Sequence, residues 1–425
     1  MELWLGIGLL LALIMAGVPV WVSIISGSMI VILGPLNTDL IMIAQLMYGK
    51  VSQLALIGVP MFILSGQLLA VGGASTPMVR FLNSFLGHIP GGPAYVMIVA
   101  CTIFGAMSSS AMAAIAGFGP LLIPMMLQAG YSKKFSIGLL LASVSLAPLI
   151  PPSIPLILFG FLTETSIRDL YMAGFIPGLL LTVLLSITVF IHTRGKNYIP
   201  PPRANWSERR RAAKEAWPVL LMPPVILVPI YMGLLHVYEA AVVAVLYSLF
   251  LGFVAYKKLS FGIMWEAIRN TVRITAMVMA IVAAAFMLNH VFAGYRMPFH
   301  MNDWLAGAGF SANTFIIVVI LMYFVMGMVL DPSAILMISA PLLIETVRFL
   351  GIPDIVFGLV VVFSIEIAGI TPPYGLHIFA AVGILKEDFV TCARAVLMFY
   401  PALIVGQLMI AYIHKISLFL PELLR

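Results

Sequence analysis

Ser145-Leu-Ala-Pro148-Leu-Ile-Pro151-Pro152-Ser153 and Glu366-Ile-Ala-Gly369-Ile-Thr371-Pro372-Pro373-Tyr374-Gly375 each interrupt a long apolar segment. Two successive prolines remove two N–H donors and disfavour helix at the preceding residue, so a helix must stop at each stretch. Carbonyls upstream then lack partners and become available to an ion or a substrate, and Ser153 and Thr371 add hydroxyls beside the breaks. A single proline kink is common in helices, whereas two double breaks in matching positions are a specific signal.

The surroundings of the breaks are those of a membrane protein. The 425 residues are 62% hydrophobic and 9% charged, against roughly 45–50% and 25% in soluble domains. Segments 219–235, 240–256 and 315–329 approach or reach the ~20 apolar residues that cross a hydrocarbon core. Backbone in lipid must satisfy its own hydrogen bonds, and these runs lack the alternation of barrel strands, so the fold class is all-α and polytopic. The formal charge of +6 comes from basic residues in short connections, a topology signal that implies no nucleic acid.

Met1-Glu2-Leu3-Trp4 has no basic n-region and no small-residue cleavage site follows, so the N-terminus is expected to be retained. Cys101 and Cys392 imply neither a disulfide framework nor a metal site. The histidines show no metal-ligand spacing, and no GxSxG, HExxH or P-loop string points to an enzyme or to ATP. No cofactor is expected.

Laid on itself, the chain matches at an offset of 221 or 222, with Gly105 on Gly327, Gly130 on Gly351, Pro151 on Pro372 and Pro152 on Pro373. A weaker match sets 14–34 on 231–252. The expected organisation is a first repeat at 1–192, a basic linker at 193–216 and a second repeat at 217–425. Arg194, Lys196, Arg203, Arg209, Arg210, Arg211 and Lys214 place the linker in the cytoplasm by the positive-inside rule. Five crossings per half then invert one repeat relative to the other and put both termini in the periplasm.

The crossings expected are 3–16, 18–34, 54–70, 135–163 and 170–192, then 217–235, 238–256, 267–292, 355–385 and 391–415. Segments 93–128 and 312–346 remain as re-entrant hairpins, and 135–163 and 355–385 are the broken helices. Stretches 37–50 and 73–88 are amphipathic and suit the interface. Charge alone leaves open whether the hairpins or the segments after them re-enter.

Each hairpin carries a polar tip. Gly105-Ala-Met-Ser108-Ser109-Ser110-Ala111 sets three adjacent hydroxyls in apolar sequence. With freed carbonyls they suit a hard cation such as sodium, while serines also permit close helix packing or bond the preceding turn. Gly327-Met-Val-Leu-Asp331-Pro332-Ser333 adds a carboxylate that is a candidate cation ligand, proton site or hairpin-tip cap, the alternative being an Asp at a surface turn. Glu366 either anchors the second break, binds a cation, or is a buried hydrogen-bonded or snorkelling carboxylate.

At these residues the sequence resembles the large membrane subunit of tripartite ATP-independent periplasmic (TRAP) transporters, the DctM-like and SiaM-like family. The resemblance rests on Pro148-Leu-Ile-Pro-Pro-Ser-Ile-Pro155, Gly174-Phe-Ile-Pro-Gly178, Gly327-Met-Val-Leu-Asp331 and Gly369-Ile-Thr-Pro-Pro-Tyr-Gly375, and covers essentially the whole chain. It implies an elevator-type transporter of the bacterial inner membrane that imports an organic carboxylate with sodium. It also implies a four-helix small membrane subunit, a periplasmic binding protein that delivers the substrate, and hairpins whose polar tips precede the broken helices.

By position, the resemblance implies one sodium site at Gly105, Ser108, Ser109, Ser110 and Pro151, and another at Gly327, Asp331, Gly369, Thr371 and Pro372. Substrate would lie between the breaks, near Ser109, Pro152, Ser153, Thr371, Pro373 and Tyr374. The chain departs from the family's pattern in its triple serine and in Ser364, where an Asn is common before the Glu. A stand-alone sodium/divalent-anion symporter of the same elevator fold, with no binding protein, is the alternative. The resemblance leaves open which dicarboxylate, keto acid or sugar acid is carried.

Overall fold

The computed structural model describes residues 2–36, 38–195, 198–328 and 330–424. Lys196, Val329 and Arg425, which entered the charge and motif readings, lie outside the described residues.

Every regular element described is helical. The first half holds α1 (Glu2–Met15), α2 (Val20–Leu33), α3 (Leu40–Val51), α4 (Gly58–Val71) and α5 (Ser75–Leu86), then α6 (Gly92–Ser108), α7 (Ala111–Gln128), α8 (Lys133–Val144), α9 (Ile154–Thr163) and α10 (Ile167–Thr193). The second holds α11 (Trp206–Leu220), α12 (Met222–Tyr231), α13 (Val237–Phe250), α14 (Phe261–Gly294), α15 (Met297–Gly307) and α16 (Ala312–Gly327). It continues with α17 (Pro332–Phe349), α18 (Asp354–Gly369), α19 (Leu376–Leu385), α20 (Phe389–Val396), α21 (Tyr400–Tyr412) and α22 (His414–Leu423).

Six described helices are long and apolar enough to cross a membrane, and two bent pairs, α11 with α12 and α20 with α21, bring the total to eight. Ten crossings were expected. The difference lies partly in α1 and α2, each 14 residues and therefore only ~21 Å long against a ~30 Å core. It lies also in the two broken segments, whose pieces are 12 and 10 residues in one and 16 and 10 in the other. Conversely, α7 and α17, the second arms of the segments expected to re-enter, are each 18 residues and apolar enough to be counted as spans.

Part of the stretch expected as linker is helical. Helix α11 begins inside it, at Trp206, because Asn205 and Glu208 close a reciprocal capping box at 2.8 Å in both directions. Its apolar face, with Ala212, Ala216 and Val219 buried, packs on α5.

The broken segments run through the centre of the molecule. Residues 135–153 and 356–371 are buried without interruption, which accounts for their apolar sequence on every side. Lipid-facing surface is carried by peripheral helices, among them α10, where Leu179, Val183, Ile187 and Phe190 are exposed. Around the core, α4 packs on α13 through a buried hydrogen bond of 2.9 Å between Ser65 and Ser248. Helix α14 lies against α2, α4 and α17.

Candidate functional site

Both tips are sharp turns between helices held by side-chain caps. Helix α6 ends at Ser109 in the left-handed region, φ 51°, with its N–H bonded back to the Gly105 carbonyl at 3.2 Å. Ser110 then caps α7 by accepting from the Ala113 N–H at 3.2 Å. At the second tip Asp331 caps α17, its Oδ1 accepting from the Ser333 and Ala334 N–H groups at 2.9 and 3.4 Å. Of the roles weighed for Asp331, its geometry realises the hairpin-tip cap.

The breaks are held from both sides. In the first, Ser153 caps α9 by accepting from the Leu156 N–H at 3.2 Å, and its hydroxyl donates to the Pro148 carbonyl. In the second, Thr371 donates to the Ile367 carbonyl at 2.7 Å and accepts from the Tyr400 hydroxyl at 3.0 Å. Both Pro-Pro bonds, Pro151-Pro152 and Pro372-Pro373, are cis.

Tip and break meet. The Ile154 N–H at the start of α9 donates to the Ser109 hydroxyl at 2.7 Å. Thus the first tip supplies one of the orphan donors of a helix N-terminus with its partner. Gly105 and Gly327 let α6 and α16 lie directly on the broken segments, at Ala147 and Ala368 respectively.

Between these parts is a cavity of about 140 Å³. Ser109 and Ser110 of the first tip, Pro148 and Ile154 of the first break, Asp331 and Ser333 of the second tip, and Glu366 and His377 of the second break all line it. The N-terminal residues of α7, α9, α17 and α19 therefore converge on one space, and their N–H ends favour negative charge there. Asp331 and Glu366 favour positive charge, and no Lys or Arg is among the described lining residues.

The sequence reading missed several wall residues. Gln67 and Ile63 come from α4, and Ile274, Met277 and Val278 from α14. Gln67 is polar within apolar sequence and could have been noticed; the α14 residues carry no mark beyond hydrophobicity. His377, the second residue of α19, approaches Glu366 with Nε2 at 3.7 Å from Oε2. Both side chains are buried, and Glu366 Oε2 and His377 Nδ1 have no hydrogen-bond partner among the described residues. Glu366 is therefore buried and faces the cavity, which does not fit a snorkelling carboxylate.

Other residues singled out in the sequence stand behind this wall. Gly105, Ser108, Pro151, Pro152, Ser153, Gly327, Gly369, Thr371 and Pro372 support the tips and breaks without lining the cavity. Pro373 and Tyr374 are exposed, and the Tyr374 ring packs against Phe379 at 5.2 Å. They are not brought to the cavity, because the chain turns outward before α19 begins at Leu376. Ser364 is held from behind by the Gln407 amide, which donates to its hydroxyl at 2.9 Å and to the Val360 carbonyl at 3.0 Å.

Comparison with known proteins supplies context. Residues 7–416 match the family model of the tripartite ATP-independent periplasmic transporter DctM component. The chain is 32% identical to the C4-dicarboxylate TRAP transporter large permease protein DctM of Vibrio cholerae, covering 98% of this chain and 96% of that protein. It is also 32% identical to the sialic acid TRAP transporter large permease protein SiaM of the same species, over 99% and 97% of the two. Among solved structures, the YdaH transporter of Alcanivorax borkumensis superposes with a TM-score of 0.62 at 17% identity, covering 86% of each chain. At that identity the likeness is one of fold.

Proposed function

Starting from the fact that the chain belongs to the DctM-component family of TRAP transporters and is a large permease subunit rather than an enzyme, we propose that it couples inward sodium flow to uptake of a small organic carboxylate. The observation that carries this reading is the charge balance of the cavity. Four helices begin at it with the positive ends of their dipoles, which favours an anion even with their first turns capped, and two carboxylates face it for a cation, with His377 beside Glu366 and no Lys or Arg among the described lining residues. A carboxylate entering alone would meet Asp331 and Glu366; entering with sodium it would not. Both substrates named for the two relatives, C4-dicarboxylates and sialic acid, carry carboxylates.

In this reading the two tips and the carbonyl ends of α6, α8, α16 and α18 hold sodium, one ion per half, and the substrate sits between them. The residues named for those sites behind the cavity wall act by fixing backbone carbonyls. Residues 1–192 and 217–425 form inverted repeats joined by a cytoplasmic linker at 193–216, with both termini periplasmic in the bacterial inner membrane. The equivalence is supported by spacing, since 222 residues separate Gly105 from Gly327 and 221 separate their partners Ala147 and Ala368. Hairpins and broken helices slide as one body against α4, α13 and α14, in an elevator motion.

The remaining two components are a small membrane subunit and a periplasmic binding protein, as a tripartite system requires. Vesicles reconstituted with both membrane subunits and supplied with the loaded binding protein should take up carboxylate faster under an inward sodium gradient. Uptake indifferent to sodium would overturn the coupling.

A further inference from the structure

A second concavity, of about 1060 Å³, shares no lining residue with the cavity between the tips. It lies where two candidate spans, Leu54–Val71 and Val237–Ala255, reach their ends together. One part of its wall is apolar and open: Val71, Trp217 and Phe250 are 43%, 54% and 44% exposed. The other part is basic, with Arg80, Arg211, Lys214 and Lys258 against Glu215, the one carboxylate among the described lining residues.

The basic part is built rather than incidental. Glu215 pairs with Arg80 at 2.5 Å and with Arg211 at 3.1 Å, which ties α5 to α11. Arg209 strengthens that tie by donating to the Ser84 carbonyl at 3.1 Å. Tyr256 donates to the Glu215 carbonyl at 3.2 Å and fixes the end of the second span to the same corner. Lys258 lies over Gly73, where φ is +83° and a Cβ would stand 2.7 Å from the lysine Cγ. Among the described residues neither Lys214 nor Lys258 makes an ion pair.

We infer that this concavity binds the headgroup of an anionic phospholipid, with the phosphate held by Lys214 and Lys258 and the acyl chains lying along Phe250 and Trp217. A soluble anion would satisfy the lysines and leave the aromatic surface wet. A lipid satisfies both, because the headgroup level is where a span ends and where aromatic rings and basic side chains are favoured together. The site gives α5, α11 and the end of the second span a common anchor. It is independent of which ion drives transport.

The test uses the purified full chain in neutral detergent, with lipid binding followed by native mass spectrometry and by thermal unfolding. Phosphatidylglycerol and cardiolipin should bind and raise the unfolding temperature, and phosphatidylcholine should not. Each basic residue near an anionic lipid contributes enough that Lys214→Gln with Lys258→Gln should weaken binding roughly 30-fold. The double variant should unfold in lipid-free detergent at the wild-type temperature, since neither lysine is paired. Equal stabilisation by phosphatidylcholine, an unchanged response in the double variant, or reproduction of the effect by inorganic phosphate alone would each overturn the assignment. So would a photoreactive phenylalanine analogue at Trp217 that crosslinks in native membranes to protein and not to lipid.

Discussion

Gly327 lies so close to Ala368 that a Cβ on the glycine would stand 2.2 Å from the alanine Cβ, and Gly105 has the same relation to Ala147, with 2.6 Å to its Cα. In each half the first arm of the hairpin therefore touches the broken segment immediately before its break. Methyl groups at these two glycines cannot be accommodated unless hairpin and broken segment separate. Gly105→Ala and Gly327→Ala should each cost ~1–3 kcal/mol as overpacking and should lower uptake by shifting the tips. Thermal unfolding with parallel uptake assays checks this; a variant with both properties unchanged would show that the contact is looser than described.

Asp331 separates two roles by substitution. Asparagine keeps an oxygen that can accept from the Ser333 N–H, while alanine removes the cap and should cost ~1 kcal/mol. Asp331→Asn should therefore unfold like the wild type yet need about tenfold more sodium for half-maximal uptake, equivalent to ~1.4 kcal/mol. Wild-type sodium dependence in Asp331→Asn would reduce the residue to a structural cap.

Ser109 combines a left-handed backbone with a hydrogen bond to Ile154. Alanine loses the bond, ~1 kcal/mol, and keeps the unfavourable φ, whereas glycine loses the bond and relieves the backbone by ~1 kcal/mol. The order of stability should be wild type and Ser109→Gly close together, with Ser109→Ala below both. Circular-dichroism melting distinguishes them, and an alanine variant as stable as the glycine variant would contradict the geometry.

Thr371 and Tyr400 act as a pair across the second break. Thr371→Val leaves the tyrosine hydroxyl only the Ile370 carbonyl at 3.1 Å, and should cost ~1 kcal/mol; Thr371→Ser should retain wild-type behaviour. Combining Thr371→Val with Tyr400→Phe should cost less than the sum of the single changes, as for any shared contact. Strict additivity in a double-mutant cycle would show the two to be uncoupled.

The tips and breaks could be read from the chain because proline and glycine mark backbone directly. The paired prolines Pro151-Pro152 and Pro372-Pro373 stop helices between apolar runs, and Asp331 before Pro332 caps the helix that follows. The walls of the cavity carry no such mark. Met277 and Val278 are two apolar residues among many on α14 and reach the site only because that helix packs on α4 and α17. The meeting of Glu366 with His377 depends on how far the chain turns between α18 and α19, a distance that spacing alone does not fix. Tyr374 differs: the resemblance sets it near the substrate, while the turn leaves it exposed and outside the cavity lining. The capping box of Asn205 and Glu208 was legible and was overlooked beneath the basic charge of the linker.

That both halves enclose one substrate cavity is the central claim, and Met112 offers the most direct access to it. Met112 lines the cavity and is 38% exposed, while the native thiols Cys101 and Cys392 are both fully buried. The measurement is the rate at which Met112→Cys reacts with a small charged maleimide in vesicles holding both membrane subunits. Sodium together with the loaded binding protein should slow labelling, and either one alone should slow it less. A rate unaffected by the pair would contradict a shared site between the tips.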